Sequence, residues 1–466
     1  MTGIPLIIVF ALAIVLMILM ISRWRIHPFI SIMLVSLGLG LIGGIPLVNS
    51  EDAAGETIPG IATVIGEGFS GTFTSIGIVI IFGALIGLVL EKTGGAFQIA
   101  DALVRVIGKK RPVLAMELMG WIVSIPVFCD SGFVILNPIR RALARRTAAS
   151  SVAMTVALSA GLYTAHVFIP PTPGPIAAAN TLGIGDNLLI VIGLGMLVSI
   201  PALIVAYFYA NYIGKKVDSS EDEDVLDDGE LENLYEELRG SYGRLPSVTA
   251  SLAPIVVPII AMAIGSIGSV LEWSGLFGDF VGFMGTPIIA LALGLALAVA
   301  VLAGVGRAKE FYDITEETLK VVGPILFITA AGGVLGKVIA NTDLVDFVQE
   351  NATTFASVGL FFPFIVSAIL KTAQGSSTVA LVTTAGIVAP LLPALGLESP
   401  VQIALAVMAI AAGAMTVSHA NDSYFWVVTN FGGMTPQQGY RTQTVVTLLM
   451  GVTSIIFIWI LGLFLI

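Results

Sequence analysis

The side chains best equipped for chemistry lie in Ser418-His419-Ala420-Asn421-Asp422-Ser423, a run of hydroxyl, imidazole, amide and carboxylate groups between apolar segments. The apolar run that rises from Val401 stops at Ser418 and resumes at Tyr424, so it reads as a helix broken in mid-membrane. Such groups are costly in lipid unless they face a bundle interior or a water-filled cavity, which makes a binding site the default reading. His419, Asn421 and Ser423 would hydrogen-bond a substrate. His419 and Asp422, with His166 and Asp130 earlier in the chain, are the titratable groups nearest the inferred midplane, able when buried to exchange protons near neutral pH. Each is also readable as a structural hydrogen-bonding residue.

A second polar centre is Gly375-Ser376-Ser377-Thr378, preceded by Lys371 and Gln374. Small residues admit close backbone approach, and the unpaired N–H groups of a half-helix starting there would favour an anionic group on a substrate. A Gly/Ser packing face between helices is the alternative, although it would need neither the charge of Lys371 nor the amide of Gln374. Lys371 either pairs directly with a carboxylate or snorkels to the outer interface. Ser131, in Cys129-Asp130-Ser131-Gly132, and Thr172, within Pro170-Pro171-Thr172-Pro173-Gly174-Pro175, complete the candidate binding set, and the prolines predict extended chain there. Asn180 caps a helix or lines the cavity. Glu117 lies close enough to Lys109-Lys110-Arg111 to form an interfacial pair. The proton-coupling set is Asp130, His166, His419 and Asp422, with Asp422 and His419 foremost. No P-loop, zinc-ligand spacing or Gly-x-Ser-x-Gly motif is present, so neither an enzyme nor a bound cofactor or metal is expected.

The elements that must position these groups are membrane helices. Hydrophobic residues make up 56% of the 466 and charged ones 11%, against roughly 45–50% and 25% in soluble domains. Runs of spanning length, about 20 residues, fall near 4–21, 27–48, 76–92, 150–168 and 187–213, then near 252–272, 286–304, 320–340, 401–418 and 443–466. The first is expected to be retained as a helix rather than removed as a signal peptide. Between the third and fourth crossing of each half an apolar segment turns back on itself. Val113–Phe128 enters and turns at Cys129–Gly132, and Ser357–Leu370 enters and turns at Lys371–Ser377. Both read as re-entrant hairpins. Ala160-Gly161 before His166 and Ala412-Gly413 before His419 stand in matching places, as do the two hairpins and the Gly-rich helices at Gly83–Leu90 and Gly332–Ile339. The expected fold is an all-α polytopic membrane protein of two inverted repeats, 1–213 and 247–466, with about ten crossings, two re-entrant hairpins and broken helices.

Charge sets the expected orientation. With the N-terminus outside, nineteen of the 21 Lys and Arg fall in the cytoplasm, and Lys337 and Lys371 lie within or beside membrane segments. Residues 218–237 hold eleven of the 31 acids and no base, leaving a membrane body of 20 acids against 21 bases. The segment 214–246 reads as a solvated cytoplasmic linker. Amphipathic stretches at Gly95–Gly108 and Asp343–Ala356 read as interfacial arms or as short surface helices. The lone Cys129 excludes an intrachain disulfide.

Ser418–Ser423, Ala373–Ala380, Cys129–Phe133 and His166–Pro175 together resemble the gluconate permease family of proton-coupled symporters, over nearly the whole chain. The resemblance implies proton-coupled uptake of gluconate or a related sugar acid or hydroxy acid across the cytoplasmic membrane. It further implies a homodimer with a scaffold and a sliding transport domain, and no nucleic-acid partner. Thr172 and Tyr424 depart from the pattern, which has His and Gly there, so the substrate can differ from gluconate. The alternative within the same fold is a sodium-coupled carboxylate or D-serine-type amino-acid symporter. An ion channel and an intramembrane enzyme are the competing classes.

Overall fold

The computed structural model describes residues 4–51, 57–103, 105, 111–147, 149–223, 239–343 and 359–465. The first half contains α1 (Ile4–Ser22), α2 (Pro28–Ile42), α3 (Ile61–Lys92), α4 (Gly95–Leu103), α5 (Pro112–Val123), α6 (Cys129–Arg146), α7 (Ser151–Phe168), α8 (Pro173–Thr181) and α9 (Leu188–Ile213). After a short α10 (Ser220–Glu223), the second half contains α11 (Val248–Val270), α12 (Gly275–Gly285), α13 (Pro287–Gly304), α14 (Phe311–Ala340), α15 (Phe361–Gln374), α16 (Ser377–Val388), α17 (Pro400–Met415), α18 (Ser423–Phe431), α19 (Pro436–Gly439) and α20 (Val445–Leu465). A two-stranded ribbon pairs Ser50–Glu51 with Thr57–Ile58. Among the described residues six helices are long and apolar enough to cross a membrane, or seven if the two parts of α3, bent by 40°, form one span, and shorter apolar helices accompany them.

The order long helix, hairpin, broken helix, long helix occurs twice: α3, α5/α6, α7/α8, α9, then α14, α15/α16, α17/α18, α20. Each hairpin's returning arm packs against the second half of the other repeat's broken helix, α16 on α8 and α6 on α18. The two polar centres therefore meet in the middle. α7 is buried along its whole length, and so is α17 from Ala404 to Met415, which their Ala, Gly, Ser and Thr content allows because small side chains let helix backbones approach closely. At Gly161 a Cβ would sit 2.0 Å from the carbonyl oxygen of Glu117 on α5. Outer helices expose Leu12, Phe208, Phe277 and Phe464, as a lipid-facing surface requires.

Sequence-level expectations are corrected at several points. The first hairpin turns at Ser124–Phe128, because Pro126 cannot continue a helix and the Ser124 hydroxyl donates to the Val127 carbonyl at 2.9 Å. Cys129-Asp130-Ser131-Gly132 is instead the first turn of α6. The second hairpin turns only at Gly375-Ser376, leaving Lys371 and Gln374 inside α15. Pro173 and Pro175 open α8 rather than extending the chain, since a helix's first turn has no use for their missing N–H groups. α3 starts at Ile61 and α14 at Phe311, both well before the expected crossings. α4 is no surface arm at its start: Phe97, Ile99 and Ala100 are buried, and the helix packs on α5 and α11. The end of that stretch and nearly all of Asp343–Ala356 lie outside the described residues. Glu117 is buried, and its Oε1 has no hydrogen-bond partner among the described residues.

The head of the acidic segment is not solvated. Glu221 accepts two bonds from Arg140 Nη2, at 2.8 and 2.7 Å, and pairs with Arg141 at 2.9 Å. Arg140 also donates to Asn137 Oδ1 and to the Phe431 carbonyl. Ser220 N donates to the Gly433 carbonyl. The segment's start thus ties the end of the first hairpin to the loop after α18. Residues 224–238, most of the acidic run, lie outside the described residues.

Candidate functional site

Three helices begin at a cavity of about 430 Å³, within the range of small-molecule sites of roughly 300–1,000 Å³. α6 brings Cys129 and Asp130, α16 brings Ser377 and Thr378 beside Gln374-Gly375-Ser376, and α18 brings Ser423 and Tyr424 beside Asn421-Asp422. α7 adds Tyr163 and His166, one helical turn apart, and α14 adds Pro324, Ile325 and Ile328.

Each start has a local cause. Gly375 ends α15 at φ +91°, where a Cβ would lie 2.1 Å from the Asn421 carbonyl oxygen. The Gln374 side chain clasps the turn, accepting from Ser376 N at 2.8 Å and donating to the Ser376 carbonyl at 2.6 Å. Ser376 then caps α16, its hydroxyl accepting from Val379 N. The break between α17 and α18 begins at Thr416 and includes Val417 at φ +60°, an unusual conformation for a β-branched residue. Asp422 caps α18 by accepting from Tyr424 N at 3.1 Å.

Asp422 is heavily engaged. Its Oδ2 accepts from Lys371 Nζ and from Ser418 Oγ, each at 2.6 Å. Lys371 is fully buried, donates also to the Gly375 carbonyl, and lies 5.8 Å from the centre of the Tyr163 ring. Asp130 has lighter company: Ser423 Oγ at 3.3 Å and the Cys129 thiol at 3.6 Å. His166 is 6% exposed on the cavity wall, and its Nδ1 has no hydrogen-bond partner among the described residues.

Nine of the predicted residues meet on the wall: Asp130, His166, Gln374, Ser376, Ser377, Thr378, Asn421, Asp422 and Ser423. The other four lie elsewhere. Lys371 sits behind Asp422, its charge directed into the protein rather than toward the cavity or the outer interface. His419 Nε2 lies 2.9 Å from the Thr372 carbonyl, which also accepts from Asn421 Nδ2 at 2.8 Å. Thr172 is buried and donates to the Ile169 carbonyl. Ser131 lines a separate cavity of about 260 Å³. Asn180 donates to the Ile176 carbonyl four residues back. Sequence reasoning missed the Tyr163, Phe128 and α14 contributions. Tyr163 carried a signal, standing three residues before His166 and so on the same helix face.

The wall is electrically uneven. α18 starts at the Asp422 carboxylate and α6 carries Asp130 in its first turn, whereas α16 is capped by a neutral hydroxyl. Of these three N-termini, only that of α16 offers its N–H groups and positive dipole end without a carboxylate of its own.

Residues 4–464 match the profile described as GntP family permease. The chain belongs to the GntP permease family. This GntP-family permease is 33% identical over 443 residues to an uncharacterized permease of Haemophilus influenzae, covering 93% of this chain and 87% of that one. It is 30% identical over 460 residues to a gluconate permease of Zymomonas mobilis, covering 96% of each. Its fold is similar to that of the YdaH transporter of Alcanivorax borkumensis, with a TM-score of 0.61 at 18% identity over 94% of this chain and 97% of that one. Like other GntP permeases it is a multi-pass protein of the cell membrane.

Proposed function

We propose that this permease carries gluconate or a related sugar acid or hydroxy acid into the cell by symport with protons. The observation behind this reading is the N-terminus of α16, the one helix start on the wall without its own carboxylate. A substrate carboxylate there accepts from the backbone N–H groups and hydroxyls of Ser377 and Thr378. Its hydroxyl groups then reach toward His166 Nδ1 and Asn421 on the facing wall. Lys371 and His419 support the site from behind, Lys371 by holding Asp422 and His419 by meeting α15 at Thr372.

The proton-carrying group in this reading is Asp130. Asp422 faces a lysine ammonium, while the hydrogen-bond partners of Asp130 among the described residues are a hydroxyl and a thiol, and it stands on the wall beside the substrate. The chain's N-terminus lies outside, the two repeats cross the bilayer in opposite senses, and two copies associate as a dimer. Lys92, Arg307 and Lys309 then mark the cytoplasmic end.

Uptake of a panel of sugar acids and hydroxy acids into proteoliposomes is the test. An imposed pH gradient should drive accumulation, and a protonophore should collapse it. Asp130→Asn should abolish accumulation while sparing exchange, because the amide keeps the shape and loses the titration. Accumulation by Asp130→Asn against the substrate gradient would remove Asp130 from this role. Accumulation driven by sodium instead would make the wall carboxylates cation ligands.

A further inference from the structure

The substrate cavity has a neighbour. A second cavity, of about 260 Å³, is walled by α3 (Gly87, Leu88, Glu91), by Ser131 of α6, and by Glu317, Thr318 and Val321 of α14. Both cavities touch Phe128 and Asp130. They are stacked along one face of α14, with Glu317 and Val321 on the second cavity and Pro324, Ile325 and Ile328 on the first. The eleven helical steps from Glu317 to Ile328 span about 16.5 Å at 1.5 Å each. The partition is the turn of the first hairpin, seated against α3 so closely that a Cβ on Gly87 would lie 2.0 Å from the Pro126 carbonyl oxygen. Phe128, in that turn, packs its ring 6.0 Å from His166. At the far end of the second cavity Lys92 pairs with Glu317 at 2.9 Å, next to Arg307, which donates to the Lys92 carbonyl.

We propose that the second cavity is the cytoplasmic vestibule of the transport path, with Phe128 as the plug between it and the substrate cavity. This rests on the orientation and transport reading given above. Two properties follow from the walls. An organic anion is stopped by the Phe128 ring and meets Glu91 and Glu317 beyond it. The proton shares this exit, because Asp130 belongs to both walls and can release it to the vestibule once the plug moves aside. Ser131 is then a vestibule residue rather than a substrate contact.

Thiol accessibility in sided membrane vesicles tests this without requiring transport. In a Cys129→Ala background, Ser131→Cys should react with a membrane-impermeant methanethiosulfonate in inside-out vesicles and remain unmodified in right-side-out ones. A cationic reagent should react about tenfold faster than an anionic one, as the Glu91 carboxylate concentrates cations where Glu317 is already balanced by Lys92, and Glu91→Gln should reduce that ratio. Ile328→Cys should be protected from the cytoplasmic side when Phe128 or Phe128→Leu is present, and become reactive with Phe128→Ala. Reaction of Ser131→Cys from the outer side, or from neither side, would overturn the vestibule. Equal cytoplasmic reactivity of Ile328→Cys with Phe128 and with Phe128→Ala would overturn the plug. If the labelling pattern holds but no acid is transported, it is the transport reading that fails and not the vestibule.

Discussion

Replacing Asp422 by Asn separates a structural ion pair from a proton carrier. Lys371 Nζ and Asp422 Oδ2 lie 2.6 Å apart, with side chains 0% and 7% exposed. At an effective dielectric constant near 20 the direct attraction is about 6 kcal/mol, offset by the cost of removing both charges from water. The net quantity that matters is the loss of one partner, which leaves a buried charge uncompensated and costs about 3–5 kcal/mol. Asp422→Asn should therefore lose that much stability, because the amide oxygen can still accept from Tyr424 N but the other position becomes a donating NH2 that no longer accepts from Ser418 Oγ or balances the ammonium. The double variant Lys371→Met/Asp422→Asn removes both charges at nearly constant volume and should recover most of the loss. Unfolding of the purified protein in detergent gives the stabilities, and proteoliposome uptake under a pH gradient gives the coupling. The expected outcome is a folded double variant that still accumulates substrate. A folded double variant that exchanges substrate yet cannot accumulate it would refute the reasoning, because the proton would then travel on Asp422.

The acidic segment should divide at residue 224. Deleting 224–237 should change closure entropy by less than about 1 kcal/mol and leave uptake nearly intact, whereas Glu221→Ala should cost about 3–5 kcal/mol by removing the carboxylate paired with the buried Arg140, read as a lowered unfolding midpoint. Equal effects of the two changes would contradict this division. Gly375→Ala should cost about 2–5 kcal/mol, combining a left-handed conformation with a backbone collision at Asn421, and should abolish substrate binding in a thermal-shift assay. Near-native binding by Gly375→Ala would show that the hairpin turn is not held as described. A cysteine at position 225 should be labelled only from the cytoplasmic side, and periplasmic labelling would reverse the orientation.

Composition and the spacing of polar breaks were enough to establish a membrane protein of helical crossings, because hydrocarbon admits so few solutions for backbone hydrogen bonds. The break before Asp422 and the turn at Gly375 were legible for the same reason: polar residues and glycine interrupt apolar runs of spanning length. The first hairpin's turn was misplaced because Cys129-Asp130-Ser131-Gly132 is polar enough to look like a turn, while the residue that breaks the helix, Pro126, stands among apolar neighbours. Partnerships could not be read at all. Lys371 and Asp422 are 51 residues apart, and Arg140 and Glu221 are 81 apart. Nothing local marks Asp422 as neutralised and Asp130 as lightly held, or Glu221 as buried among acids that look alike. Local pattern reports whether a residue suits a helix, a cap or the membrane, since those preferences act over one or two turns. Which charge faces which, and which side chains share a cavity wall, was decided only when the two hairpins and two broken helices packed together.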